Sequence, residues 1–449
     1  MRISLLAKSL KNRHFLSLAG NGIMAGFSLI TNALLYRLLS EREMGSWVLY
    51  QSIFMLIDAF RTGFLQTALI KFYSGADEVR KNEIAGATWY IAGIITAICV
   101  AVNLLAFLGI GFITNESLLL SLKWFSITMV VTLPFSIAFW ILQAEQRFDR
   151  ILYIRIITQG SFILGLILVH FFSQLTLKTV VLSFVISSLI ASIVSLLCGW
   201  AQVGTFRFRT KSGIADVFHF GKFSVGSFIS TSLLRNSGTF IVSAMLGPVA
   251  LAIYNLPSRL LEMIEILIRS FASTGMSSMS AAANQNRPDE VVRLLKKYSG
   301  LITAVLIPVV FFSILLAPYF VLILGGGKYA DGASANIFRI MVTIALLYPL
   351  DRFLGIALDT IHKPQINFIK VVIMLAVNSF TVWLGITLTK NVYGVAFASL
   401  FTVSAGMIFS YYMLKRYIRV NLKGLVRIGY LEIAALSNTM YTKIFKKAS

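Results

Sequence analysis

Charge and reactive side chains are what this chain has least of. Only 13% of its 449 residues are Asp, Glu, Lys or Arg, about half the share of an ordinary soluble domain. Two cysteines, Cys99 and Cys198, both stand in apolar stretches, so neither a disulfide framework nor thiol chemistry is expected. The four histidines, His14, His170, His219 and His362, fall near predicted helix ends and lack the spacing of a metal-ligand set. The glycine-rich run Gly325-Gly326-Gly327-Lys328 lacks the G-x-x-x-x-G-K-[ST] spacing of a phosphate-binding loop. No cofactor, no metal and no enzymatic centre are therefore expected.

What the chain has instead is hydrophobicity: 57% of its residues are hydrophobic and the mean hydropathy is +0.81. The first apolar run, from about Phe15 to Leu39, is too long for a signal-peptide core and is followed by many more. At about 20 apolar residues per crossing, the sequence predicts twelve helices. They fall near 15–39, 47–72, 84–112, 118–143, 151–172, 178–202, 218–246, 249–273, 295–324, 333–359, 366–389 and 391–414. Turn and charge signals separate them, among them Ser40-Glu41-Arg42-Glu43, Gly247-Pro248 and His362-Lys363-Pro364. The expected fold class is an all-α polytopic membrane protein.

Forty basic residues against eighteen acidic ones give a net charge of +22. In a soluble protein that excess would suggest nucleic acid. Here it follows the loops: with a cytoplasmic N-terminus, 28 basic residues fall on the inner side, 6 on the outer side and 6 within helices. That asymmetry is what the positive-inside rule requires, and it places both termini in the cytoplasm. Nucleic acid is not needed to explain it.

The chain also reads as doubled. A shift of 207 residues lays Arg37-Leu38-Leu39-Ser40 on Ala244-Met245-Leu246-Gly247, Trp47 on Tyr254, Ile57 on Ile264 and Asp58 on Glu265. A direct repeat after an even number of helices gives two parallel lobes with a cleft between them. The expected divisions are a six-helix lobe at 1–203, a second at 204–416 and a basic tail at 417–449. Residues 201–216, with Arg207, Arg209 and Lys211, form the connector. The tail, with six basic residues and Glu432, is expected along the anionic inner surface, with a further membrane segment left open.

Three arginines, Arg61, Arg235 and Arg259, stand near the middle of predicted spans. A charge at bilayer depth costs roughly 2.5 to 3.5 kcal/mol on insertion scales and is retained for a task. Arginine's planar fork suits a phosphate oxygen pair, so the three are candidate ligands for an anion. Each has a plainer alternative. Arg61 follows Asp58 by three residues, Arg259 precedes Glu262 by three, and Glu265 precedes Arg269 by four, which is ion-pair spacing. Arg235 has no acid within four residues, so it is the strongest candidate. Arg339 and Arg352 read as interfacial anchors or stations along a path. Asp58, Glu262, Glu265 and Asp351 are candidates for ion coupling or pairing. Pro257, Pro308, Pro318 and Pro349 interrupt predicted helices, and Gly20-Asn21-Gly22 is either a polar opening or a close-packing spot.

The run Leu38-Leu39-Ser40-Glu41-Arg42-Glu43-Met44-Gly45-Ser46-Trp47 and the later Gly63-Phe64-Leu65-Gln66-Thr67-Ala68 resemble the first hairpin of bacterial polysaccharide flippases. These belong to the multidrug, oligosaccharidyl-lipid and polysaccharide exporter superfamily. Leu246-Gly247-Pro248-Val249-Ala250-Leu251-Ala252-Ile253-Tyr254 and Gly325-Gly326-Gly327-Lys328-Tyr329-Ala330 add to the likeness, which covers about the first 415 residues. The resemblance implies a flippase of the O-antigen type. It would move an undecaprenyl-diphosphate-linked oligosaccharide from the inner to the outer leaflet of a bacterial inner membrane. A proton or sodium gradient would drive it, with glycosyltransferases and a polysaccharide polymerase as neighbours. Many such flippases carry an acid about where Asn236 and Ser237 stand, so that acid's role does not carry over. A cation-coupled multidrug exporter shares the architecture and remains the alternative.

Overall fold

The computed structural model describes residues 13–109, 111, 116–330 and 332–433. The side chains of Gly20-Asn21, the loop 112–115 and the tail beyond 433 lie outside the described residues. Among those described, regular structure is helical. The order is α1 (Arg13–Leu38), α2 (Glu41–Tyr73), α3 (Glu78–Leu108), α4 (Glu116–Ala144), α5 (Phe148–Phe172) and α6 (Leu177–Leu197). A six-residue 3-10 turn, Val203–Phe208, leads into one helical run, Lys211–Asn284. Its two arms are α7 (211–246) and α8 (248–284). Then come α9 (Pro288–Leu315), the short α10 (Ala317–Gly325), α11 (Ala333–Thr360), α12 (Pro364–Thr389) and α13 (Tyr393–Lys415), followed by a last helical segment, α14 (425–433).

Ten of these helices are long and apolar enough to cross a membrane. The run Lys211–Asn284 counts once among them; taking its arms separately and adding the shorter apolar helix Gly22–Leu38 brings the described crossings to the expected twelve. Boundaries differ where local chemistry overrides hydropathy. The ninth span ends at Leu315, because Leu316 leaves helical geometry and Pro318 starts α10. The tenth is interrupted by a 3-10 turn at Ala345–Leu347, with Pro349 beginning the second half. Pro257 and Pro308 sit inside unbroken helices, as does Pro134 in α4.

The joins are built from caps that the sequence carries. Ser40 accepts the Glu43 amide while the Glu43 carboxylate takes the Ser40 amide at 3.2 Å, a capping box that starts α2. At Gly247 no loop intervenes. One residue at φ 82°, ψ −177° turns α7 into α8, a backbone state open essentially to glycine alone. Pro248 then begins α8 with a fixed φ and no amide to satisfy.

Contacts divide the chain into two compact units, Met1–Asn236 and Ser237–Ser449. In the first, α2, α3 and α4 share a core of Leu65, Leu69, Ile84, Ile91, Ile137 and Ile141. Trp47 packs against Tyr50, Phe162 and Phe184. The first part of α7 belongs here because Gly221 lets its backbone lie on Phe64 and Gly63 admits the ring of Phe228. In the second unit Tyr298 stacks on Phe353 at 5.7 Å, and α12 meets α13 through Gly385 and Gly394.

The doubling shows in the turns. After α4, Gln146 takes φ 57° and Arg147 N–H reaches Leu142 O at 2.9 Å; after α11, His362 takes φ 60° and Lys363 N–H reaches Leu358 O at 3.0 Å. Both are Schellman ends, each closing the fourth long helix of its half. Gly75 at φ 77° and Asn286 at φ 55° occupy matching joins after α2 and α8.

Candidate functional site

The charges expected at mid-span separate into paired and unpaired ones. Arg61 is fully buried within the first unit. Its Nη2 lies 2.6 Å from Asp58 Oδ1 and donates to Thr132 Oγ1 at 3.1 Å, while Nη1 donates to Met129 O at 2.9 Å and Thr96 Oγ1 at 3.4 Å. Thr62 donates to the other oxygen of Asp58 at 3.1 Å. This guanidinium ties α2 to α3 and α4. The i, i+3 spacing of Asp58 and Arg61 signalled the pair, whereas Thr96, Met129 and Thr132 come from other helices and left no sequence signal.

Arg259 is half-buried on α8. It bonds Asn255 Oδ1 at 3.2 Å and pairs with Glu262 at 3.0 Å. Arg269 pairs loosely with Glu265 at 3.5 Å, both well exposed. Arg339 is held by Ile314 O at 3.2 Å and Asn336 Oδ1 at 2.7 Å, and Arg352 is exposed.

Arg235 differs from the paired arginines and shares with Arg352 the lack of a hydrogen bond or ion pair to a described residue. Its side chain is exposed on α7 with no hydrogen bond or ion pair to any described residue. Arg235 and Arg259 each lie twelve residues from Gly247 along their own arms, about 18 Å at the helical rise. Chemically, an unpaired guanidinium on an apolar helix can receive an oxyanion.

The second unit holds a charge that hydropathy hid. Lys370, six residues after the helix-starting Pro364, is buried on α12. Its Nζ lies 2.7 Å from Asp351 Oδ1 and donates to Asp351 O at 3.2 Å. Gly406 makes room for the pair, since a Cβ there would lie 3.0 Å from Asp351 Oδ1. Further along α12, Asn378 donates to Ser237 Oγ at 2.7 Å and accepts from Thr402 at 3.0 Å. This neutral network occupies the position where related flippases were expected to carry an acid. Among the described residues, no group of three or more His, Cys, Asp or Glu side chains converges as a metal site would need.

A family model described as "Polysaccharide biosynthesis protein" matches residues 9–276, and a second, MatE, matches residues 224–384. No curated protein matches the chain at a significant level. Solved structures do. An inward-facing multidrug resistance MATE family transporter of the MOP superfamily aligns with a TM-score of 0.70 at 15% identity, over 93% of this chain and 96% of that one. The lipid II flippase MurJ, in its inward closed conformation, aligns with a TM-score of 0.68 at 16% identity, over 96% and 99%. A MOP superfamily transporter from Pyrococcus furiosus, described as having a binding pocket of reverse polarity, aligns with a TM-score of 0.60 at 15% identity, over 94% and 96%. At these identities the structural likeness is one of fold. Together with the family match over more than half of its length, it identifies the chain as a member of the polysaccharide biosynthesis protein family, built on the MOP-superfamily transporter fold.

Proposed function

We propose that this protein flips an undecaprenyl-diphosphate-linked oligosaccharide from the inner to the outer leaflet of the bacterial inner membrane, supplying cell-surface polysaccharide synthesis. In this reading both termini are cytoplasmic, and the lobes 1–203 and 204–416 alternate access to a cleft between them. A proton or sodium gradient drives the cycle. The headgroup passes through the protein while the prenyl tail stays in lipid. The substrate would come from glycosyltransferases on the inner side and leave to a polymerase on the outer side.

The observation that carries the reading is Arg235, an unpaired arginine on an apolar helix. Its planar fork fits a diphosphate. Arg259 would assist from α8 by exchanging Glu262 for the ligand. Arg61 would act from behind, by holding α2, α3 and α4 in place. The MatE match over 224–384 keeps a cation-coupled drug exporter as the second reading. Such an exporter needs free acids in its path. Here Asp58, Glu262, Glu265 and Asp351 each face a basic partner within 3.5 Å on their own helix or its neighbour, which favours the flippase.

The test is transport of lipid-linked sugar in proteoliposomes, with the amount of folded protein measured alongside. Losing one charge-assisted contact in a desolvated site costs about 1.5 to 3 kcal/mol. Arg235→Ala should therefore lower transport by roughly tenfold or more at normal abundance, and Arg235→Lys should be partly defective. Normal transport by Arg235→Ala would sink the proposed site. Drug efflux by the wild-type protein, without sugar transport, would favour the second reading.

A further inference from the structure

Each half of the chain ends in a short helical strap that docks on the third helix of that half through a glycine. In the first half, a Cβ on Gly86 of α3 would collide with Thr205 O and come within 3.0 Å of Arg209 N. In the second half, a Cβ on Gly300 of α9 would collide with Leu425 O and come within 3.2 Å of Gly429 N. The pattern is the same in both: a carbonyl at i and an amide at i+4 of the strap against a buried helical glycine. Polar clamps fasten each strap. Trp89 Nε1 donates to Ala201 O at 2.7 Å and Arg80 bonds Asp216 in the first, while Lys297 pairs with Glu432 at 2.8 Å in the second.

With the inner edge of each strap seated, its outer edge is left exposed, and each outer edge carries three apolar side chains beside two basic ones. The first shows Val203, Phe206 and Phe208 beside Arg207 and Lys211; the second shows Val426, Tyr430 and Leu431 beside Lys423 and Arg427. Arg209 lies over the rings of Phe206 at 4.3 Å and Tyr90 at 5.4 Å, and Arg207 over Phe208 at 4.8 Å. None of Arg207, Lys211, Lys423 and Arg427 pairs with a described acid. Beside the second strap lies a cavity of about 550 Å³ lined by Tyr411, Val420, Asn421, Leu422 and Lys423. Aromatic and aliphatic groups level with unpaired basic ones, at the ends of membrane helices, are the makeup of an element lying in the headgroup layer.

We propose that the two straps are paired interfacial anchors that bind anionic phospholipid, with the apolar row entering the acyl boundary and the basic residues holding lipid phosphates. The partner is the membrane surface itself, and the proposal does not depend on what the protein transports. Each basic residue near an anionic surface strengthens binding by about fivefold.

The full-length chain, with Cys99→Ala and Cys198→Ser, would carry one fluorophore at Phe206→Cys or Val426→Cys and be placed in nanodiscs of brominated phosphatidylglycerol or brominated phosphatidylcholine. Both labels should be quenched, more strongly by the anionic lipid, and a label at exposed Ser212 should be quenched less. Phosphatidylglycerol retained by the detergent-purified protein, counted by native mass spectrometry, should fall several-fold when Arg207, Lys211, Lys423 and Arg427 are all changed to Gln. Labels that remain in water would overturn the proposal. So would equal quenching in both lipids combined with unchanged phosphatidylglycerol in the neutralised variant. The labelling arm leaves the basic residues intact, so it decides the matter even if the fourfold variant does not fold.

Discussion

Arg61 exposes no charge, so its energetic role is set by what would be left behind without it. Arg61→Ala strands Asp58, the Met129 carbonyl and two threonine hydroxyls between α2, α3 and α4. Breaking a buried pair on one side costs about 3 to 5 kcal/mol. We expect this variant to lose folded protein and activity together, as read by detergent size-exclusion yield, in contrast to Arg235→Ala. Lys370 and Asp351 allow a sharper version of the same test. Lys370→Met alone should destabilise strongly, whereas Lys370→Met combined with Asp351→Leu should recover much of the loss, because no uncompensated charge remains. A double variant no more stable than the single one would show that the pair does more than neutralise itself. The Asp58–Arg61 pair was legible from spacing. The Asp351–Lys370 pair was not, because its members stand on different helices.

Helix ends and interruptions carry their own predictions. In α4, Pro134 lacks an amide and opens the hydrogen-bond ladder of its helix. Ser192 of α6 spans the opening: its hydroxyl accepts from Phe135 N–H at 3.3 Å and donates to Val131 O at 2.6 Å. Ser192→Ala should therefore cost about 1 to 3 kcal/mol. Ser195→Ala should cost less, because that hydroxyl bonds only Ala191 O in its own helix. Comparing the two melting temperatures checks the assignment. His362 holds a left-handed turn that costs an ordinary residue about 1 to 2 kcal/mol, and its ring is exposed. His362→Gly should raise the melting temperature, and Asn286→Gly should change it little, since Asn tolerates that conformation. At Gly247 the space is open but the backbone is not, so Gly247→Ala should destabilise by about 1 to 3 kcal/mol without any clash. The turns at Ser40, Gly247 and His362 were readable because capping residues, glycine and proline act locally. The splice at Ser192 depends on packing between α4 and α6, which no periodicity reports.

At the scale of the whole chain, the helix count, the repeat and the family resemblance came from hydropathy, spacing and motif order, all of which survive in a single sequence. The unpaired state of Arg235 was only half legible. The lack of a nearby acid on its own helix pointed to it, while the lack of a partner from any other described helix required the fold. For orientation, loop charge makes a definite prediction. A cysteine at Pro248 should react with an impermeant thiol reagent in intact cells, and one at Ser212 should react only after permeabilisation. The opposite pattern would reverse both termini. If the lobes rock, a verified cross-link between one cysteine on each lobe at the same membrane face should stop transport and leave folding intact. Full transport in that cross-linked protein would rule out the movement.

The single-residue join at Gly247 also bears on how the chain is made. Two long apolar helices that meet without a polar loop leave the ribosome as one continuous hydrophobic hairpin. Very little hydrophilic backbone has to be carried across the bilayer between them, so α7 and α8 should leave the translocon together. A force-sensitive arrest sequence moved along the nascent chain should then register one broad pull for the pair. Lengthening the join with a hydrophilic insert after Gly247 should split that pull in two.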